Sequence, residues 1–381
     1  MEQFYWRDLK DLEDKWAGLS VEVKRTTSNK PPLHLQSGNN GRMKLMLNDI
    51  TLFWGTIATS YYGAWLVRNP QSIQLESSPV PAIDSADVQE HFDLPPDERI
   101  RNWCRYFISK LMEHQADFLY PGHWVARPLL PTAARYTYGE GVRGWYFSTP
   151  TEASSHLPRW YARGEGILDN VNPQTVHWLD WDLGHLIGLH TVDPLSGRMK
   201  WWRKKAREGS LPPILLWYVG GLCSYVIIDG HYRLQAALDE HVKPDFIVLS
   251  STEARQVKLC EDTQQRVFSS LMMQSAKNPE FDVRTLNQAL IHTFDDRPYH
   301  WAGTHAWAGI ASDQQWSAEV ATFLRAQGAT EHLEDILGRC DFESLRTCAQ
   351  ANNGYLGPRI FTNLSGEGAP CCCCNSPLSS M

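Results

Sequence analysis

The spacing of apolar residues changes several times along the chain, and each change predicts a different element. In EQFYWRDLKDLEDKWAGL, residues 2–19, Trp6, Leu9, Leu12 and Trp16 recur at helical spacing and predict a helix. GRMKLMLNDITLFWGTI (41–57) and YYGAWLVRN (61–69) instead alternate or run apolar, as strands do. RIRNWCRYFISKLMEHQADFLY (99–120) returns to a helical stripe through Trp103, Phe107, Leu111 and His114. From about residue 166 short apolar runs take over. HLIGLHTV (185–192) reads as extended, a helix opens at Asp193-Pro194 with Asp193 as its cap, and PILLWYV (213–219) reads as a strand. Gly220-Gly221 then marks a hairpin into the strand SYVIID (224–229). A helix HYRLQAALDEH (231–241) and a strand DFIVL (245–249) follow. Beyond residue 250 the pattern is helical in TEARQVKLCEDTQQRVFSSLMMQSA (252–276), VRTLNQALIHTF (283–294), SAEVATFLRAQG (317–328) and LEDILGRC (333–340).

These patterns predict an α+β protein: an N-terminal α+β region (1–165), a central mixed-sheet domain (166–250), a helical region (251–365) and a disordered tail (366–381). The tail carries four consecutive cysteines, Cys371 to Cys374. The other five are scattered without a C-x-x-C pair, so neither a disulfide framework nor a zinc site is expected. No apolar run reaches the length of a membrane span, and the N-terminus is too charged for a secretory signal, so the expected location is cytoplasmic. A net charge of −7 and a pI near 6.1 argue against general nucleic-acid binding.

The stretch SYVIIDGHYRLQAALDEH (224–241) concentrates candidate chemistry. Asp229 closes a buried strand, where open sheets place ligands. The helix that follows presents unpaired amides and the positive end of its dipole near His231, which suits phosphate. Gly230 lets a ligand approach the backbone, Arg233 offers a fork of donors, and His231 can move a proton. Asp229 can hold Mg²⁺ or orient a hydroxyl. The plainer alternative makes Asp229 a helix cap, Arg233 a surface cation and His231 a satisfied polar side chain. Leu234, Ala237, Leu238 and His241 share the face that packs this helix on the sheet.

LPPILLWYVGGLCSYVIIDGHYRLQAAL (211–238), with LIGLHTVDPLSGRMKWWRKKAREGSLPP (186–213) before it, resembles the ParB/sulfiredoxin-like superfamily, whose members carry D-G-H-H-R-L or F-G-G-C-H-R between a strand and a helix. The resemblance covers only about 70 to 85 residues. It implies a nucleotide-binding domain using ATP or ADP with Mg²⁺. Gly230, His231, Tyr232 and Arg233 would lie on phosphate, Lys204 of the basic stretch RMKWWRKKARE (198–208) would steer the anion, and Asp229 would be metal-associated. Tyr232 stands where the family's second histidine is usual, and Gly188 where the sulfiredoxin branch has an arginine. That branch has its reactive cysteine at the position of His231, so sulfinic acid repair is not expected. The implied function is phosphoryl transfer to a small hydroxyl compound or a protein side chain, with His231 and Asp229 as catalytic residues. The alternatives are a ParB-like DNA-associated or nuclease module, and a catalytically degenerate interaction domain.

VHWLDWDLGH (176–185) gathers His177, Asp180, Asp182 and His185 without the spacing of a known metal site, and Asp182 is a candidate general base. His300 and His305 in YHWAGTHAWAG (299–309) are read as structural, with Gly303 favouring a loop. Gly139, Gly141 and Gly144 spell G-x-G-x-x-G, but WYFSTP after them reads as a strand and not as the helix a pyrophosphate needs, so no dinucleotide fold is expected. The 16 tryptophans are expected in the core.

Overall fold

The structure, a computed structural model, describes residues 3–10, 15–24, 30–58, 63–69, 80–113, 118–132, 146–148, 166–171, 176–180, 184–255, 261–278, 299–310 and 312–338, with single positions at 286, 287, 290 and 294. Among them the chain is α+β, as its pattern predicts, with two mixed sheets. Asp182, His114, the G-x-G-x-x-G glycines and the cysteine-rich tail lie outside the described residues.

The first element corrects the sequence reading. Among its described residues, 3–10 and 15–19, there is no helix: β1 (Gln3–Lys10) and β2 (Trp16–Lys24) pair as an antiparallel hairpin. The strand choice is tertiary. β2 is covered on its other side by β7 (Gly122–Thr132), with Leu19 opposite Ala126 and Val21 opposite Trp124. Gly18 makes that approach possible, since a Cβ there would lie 2.6 Å from the Ala126 carbonyl oxygen.

A six-stranded sheet forms from β3 (Leu33–Ser37), β4 (Arg42–Leu47), β5 (Ile50–Ala58), β6 (Gly63–Arg68), β10 (Val176–Asp180) and β16 (Ala306–Ala308). β4 and β5 turn through Asn48, whose positive φ of 53° suits an asparagine. Two helices, α1 (Ser85–Phe92) and α2 (Pro96–Glu113), follow β6. Trp103, Phe107 and Leu111 of α2 are buried along the expected stripe.

The ten-stranded sheet runs β1-β2-β7-β8-β9-β11-β13-β12-β14-β15, with β7 also paired to β14. Its further strands are β8 (Tyr146–Ser148), β9 (Gly166–Val171), β11 (Gly184–Ile187), β12 (Ile214–Val219), β13 (Ser224–Asp229), β14 (Phe246–Arg255) and β15 (Tyr299–Gly303). β8 is the strand expected after the glycine triplet. The units expected at 1–165, 166–250 and 251–365 all contribute strands to this one sheet.

β12, β13 and the first part of β14 are buried on both faces, which is why they read as unbroken apolar runs. Alternate residues serve two cores. Leu215, Trp217, Val219, Val226, Ile228, Ile247 and Leu249 join a cluster that extends to β2, the six-stranded sheet and α2. Ile214, Leu216, Tyr218, Tyr225, Ile227, Phe246 and Val248 form a second one with Leu234 and Leu238.

Two helices pack beside this region, α3 (Gly197–Arg207) and α4 (His231–Asp239). α3 begins one turn later than expected. Ser196, not Asp193, is its cap, accepting from the Met199 amide at 3.1 Å, while Asp193 closes a preceding turn by accepting from Leu195 N–H at 2.9 Å. α4 ends before His241, which is exposed at φ 55°, so only Leu234, Ala237 and Leu238 of the predicted face are buried. Burying Leu234 and Leu238 contributes about 1.5–3 kcal/mol each.

The region after residue 250 is not purely helical. Thr252–Arg255, expected to open a helix, finish β14, whose central pairing with β12 and β7 carries on to β15. Helices α5 (Glu261–Lys277), α6 (Asp313–Gln327) and α7 (Leu333–Leu337) follow in the expected places. α6 docks on the six-stranded sheet through Trp316, Val320 and Leu324. Arg42 of β4 donates to the carbonyls of Ile336 and Leu337 at 2.8 and 3.1 Å, satisfying the end of α7.

Candidate functional site

β13 delivers the chain to Asp229, Gly230 turns it, and α4 starts at His231. Gly230 sits at φ 110°, which L side chains rarely adopt, and is itself the helix N-cap. With glycine there, α4 has no side-chain cap. The first intrahelical bond is Leu234 N–H to the Gly230 carbonyl at 2.8 Å. The amides of His231, Tyr232 and Arg233 therefore precede the hydrogen-bonded part of the helix, at the positive end of its dipole. The strand, the turn and the helix start are where the sequence predicts them.

The side chains of the turn are arranged differently from expectation. Arg233 is 1% exposed and faces inward. Its Nη2 donates to Asp229 Oδ2 at 2.7 Å and to the Pro213 carbonyl at 2.9 Å, and the guanidinium lies over the Trp202 ring, 5.4 Å from its centroid. This departs both from the phosphate fork and from the surface cation considered for Arg233. Asp229, expected to hold a metal or to serve in catalysis, instead neutralises a buried cation. A paired guanidinium and carboxylate in low dielectric hold each other firmly, because exposing either alone leaves an uncompensated charge.

His231 is also committed. Its Nε2 accepts from the Leu189 amide at 2.8 Å, so the neutral ring carries its proton on Nδ1. Burial holds its pKa well below 6.5, and the charges of His190, Arg68 and Arg233 push the same way. The His190 ring lies against it, tilted by 31°, with 3.8 Å between centroids. A proton-moving role requires a free nitrogen, and the accepting one is occupied. Here His231 fastens the chain after β11 to the first turn of α4. Tyr232 acts in a similar way, since its hydroxyl accepts from the Asp193 amide at 3.3 Å and ties the approach to α3 onto α4.

Lys204 does not reach this turn. It is exposed and pairs with Glu208 at 3.7 Å, while Arg203 and Arg207 converge on Glu240 at the far end of α4, at 2.5 and 2.7 Å. Trp202 points the other way into the core. The basic stretch is thus a solvated face with a tryptophan anchor. His177 lies in β10 of the six-stranded sheet and His185 in β11 of the ten-stranded one, and neither belongs to a group of three metal-ligating side chains among the described residues. His305 follows β15 and packs between Tyr120 and Trp307, at 5.1 and 4.8 Å, in keeping with a structural role.

Sequence reasoning missed Arg68. This last residue of β6 is 5% exposed, and its Nη1 donates to the carbonyl of Gly188. Gly188 lies against the His231 ring, where a Cβ would come within 3.4 Å of Cδ2. Nε and Nη2 of Arg68 are buried without a partner. Burial lowers its pKa to about 10, so it remains charged at neutral pH. Only its place at the end of an apolar strand, in WLVRN, hinted at it.

Among the described residues no three His, Cys, Asp or Glu side chains gather as a metal site, and no helix is long and apolar enough to cross a membrane. Set against known protein families, curated proteins and solved structures, the chain matches none.

Proposed function

We propose that this chain is a nucleotide-binding protein whose ParB/sulfiredoxin-like turn receives a phosphate group of ATP or ADP at the N-terminus of α4. The observation that carries the reading is the uncapped start of α4 after Gly230, with three amides outside the helical ladder. Such amides and the helix dipole attract a phosphate without needing a side-chain cation of their own. The pair Asp229–Arg233 supports the site from behind by fixing where β13 ends and α4 begins.

The kinase-like reading, transfer of that phosphate to a small hydroxyl compound or a protein side chain, fits the turn less well. Phosphoryl transfer relies on positioning and on charge stabilisation at the transferring group. Arg233 and Asp229 are engaged with each other, and the accepting nitrogen of His231 is taken by Leu189. The same commitments do not fit a Mg²⁺ held by Asp229. Mg²⁺ is commonly held through one or two carboxylates and substrate phosphates, so it would arrive with the nucleotide. Binding without transfer, in a domain that works through partners, is the form of the proposal that these side chains favour.

The test is thermal unfolding with ATP, ADP, CTP and GTP, each with Mg²⁺, followed by an assay for phosphate release or transfer. Binding raises the midpoint by mass action. A shift with no turnover supports binding alone. A shift with turnover favours the kinase. No shift with any nucleotide removes both.

A further inference from the structure

We propose that Arg68 is the cation of the phosphate site at the start of α4, so that a strand of the six-stranded sheet completes a site otherwise built by the ten-stranded one. This rests on the phosphate-binding reading above and adds a residue to it from outside the β13–α4 turn.

Three observations converge. Arg68 reaches the segment facing α4, since its Nη1 is bound to the Gly188 carbonyl and Gly188 abuts the ring of His231, the first residue of the helix. Its remaining donors are unused: Nε and Nη2 are buried with no hydrogen-bond partner. Removing guanidinium donors from water without replacement is costly, and no carboxylate forms an ion pair with Arg68 among the described residues. The Arg68 guanidinium and the positive end of the α4 dipole also bear together on His231. Buried, unpaired positive charge beside uncapped amides is complementary to one kind of group, a compact multivalent oxyanion.

The chemistry that satisfies all of these donors is a phosphate. Two of its oxygens would take the free Nε and Nη2 of Arg68 as a bidentate pair, and a third would face the amides of His231 and Tyr232. Gly188–His190 and Tyr232 are half-buried, whereas Arg68, Gly230 and His231 are buried. A nucleotide's phosphate and free inorganic phosphate or pyrophosphate share this recognition, and the experiment separates them.

Affinities of inorganic phosphate, pyrophosphate, ADP and ATP are measured by calorimetry on the full chain, wild type against Arg68→Gln and Arg68→Met. Gln removes the charge and keeps a polar end, though its amide stops two bonds short of where Nη1 meets the Gly188 carbonyl. Met removes the charge and every donor. Both variants are expected to bind pyrophosphate and ADP at least about tenfold more weakly, the loss of one charged hydrogen-bonding group. Tighter wild-type binding of ADP than of pyrophosphate assigns the site to a nucleotide, and equal affinity assigns it to the phosphates alone. Wild-type binding that Arg68→Gln leaves unchanged overturns the role of Arg68 while sparing the phosphate site. Failure of the wild type to bind any of the four removes the site altogether. Arg68→Lys keeps the charge and most of the reach but has no Nε–Nη2 fork, and weaker binding by it carries the test where the neutral variants do not fold.

Discussion

Asp229 and Arg233 face each other one helical turn apart, Oδ2 to Nη2 at 2.7 Å, with the guanidinium sealed beneath Trp202. That relationship turns an apparent phosphate-binding pair into the hinge pin of the strand–helix turn. It predicts asymmetric mutational costs. Asp229→Leu strands a buried cation and is expected to cost about 3–5 kcal/mol, whereas the double variant Asp229→Leu/Arg233→Met is expected to cost clearly less than the sum of its singles. Denaturant unfolding of the four proteins measures the coupling, and additive costs would contradict it.

Gly230 is fixed by two separate demands. Its φ of 110° disfavours a side chain, and a Cβ would press on Arg233 Nη2 at 2.9 Å and Cζ at 3.1 Å. Gly209, at φ 68° with open space around it, faces the first demand alone. Gly230→Ala is therefore expected to lose about 1–3 kcal/mol and Gly209→Ala less. Equal midpoints for the two variants would show that the guanidinium yields freely.

His231 makes stability depend on pH in a definite direction. Its folded pKa lies below the unfolded value of 6.5, so the unfolded chain binds the extra proton. The stability it contributes is complete above about pH 6.5 and declines on acidification through the window below it, at up to about 1.4 kcal/mol per pH unit. His34, lowered by burial, acts in the same sense. His231→Gln, which can still accept from Leu189, is expected to flatten the decline without abolishing it. Urea midpoints between pH 7.5 and 5 give the answer, and parallel curves would mean that the ring already titrates normally in the fold.

Lys204 stands apart from the site, paired outward with Glu208. Lys204→Ala is expected to leave nucleotide affinity within about twofold of wild type, in contrast to Arg68→Gln. Calorimetry with ADP on both variants makes the comparison, and a tenfold loss from Lys204→Ala would restore the basic helix to the site.

Much was legible in the chain itself. The both-faces-buried strands β12 and β13, the Gly-Gly turn between them, the stop at Asp229 and the helix beginning at His231 all follow from local patterning and glycine chemistry. What the sequence could not decide was the direction in which side chains of that turn would face. Whether Arg233 meets solvent or Asp229 depends on Trp202 and Pro213 closing over it, contacts made across 20 residues or more. The helical spacing of Trp6, Leu9 and Trp16 likewise gave way to β7, because a strand needs a partner that periodicity does not register. Arg68 was invisible for the same reason. It lies 120 residues before Gly188, and only the meeting of two sheets places an unsatisfied guanidinium beside the start of α4. Local sequence determined the elements and their order here. Long-range packing, which alone sets burial and pairing of charge, determined which residues remain free to meet a ligand.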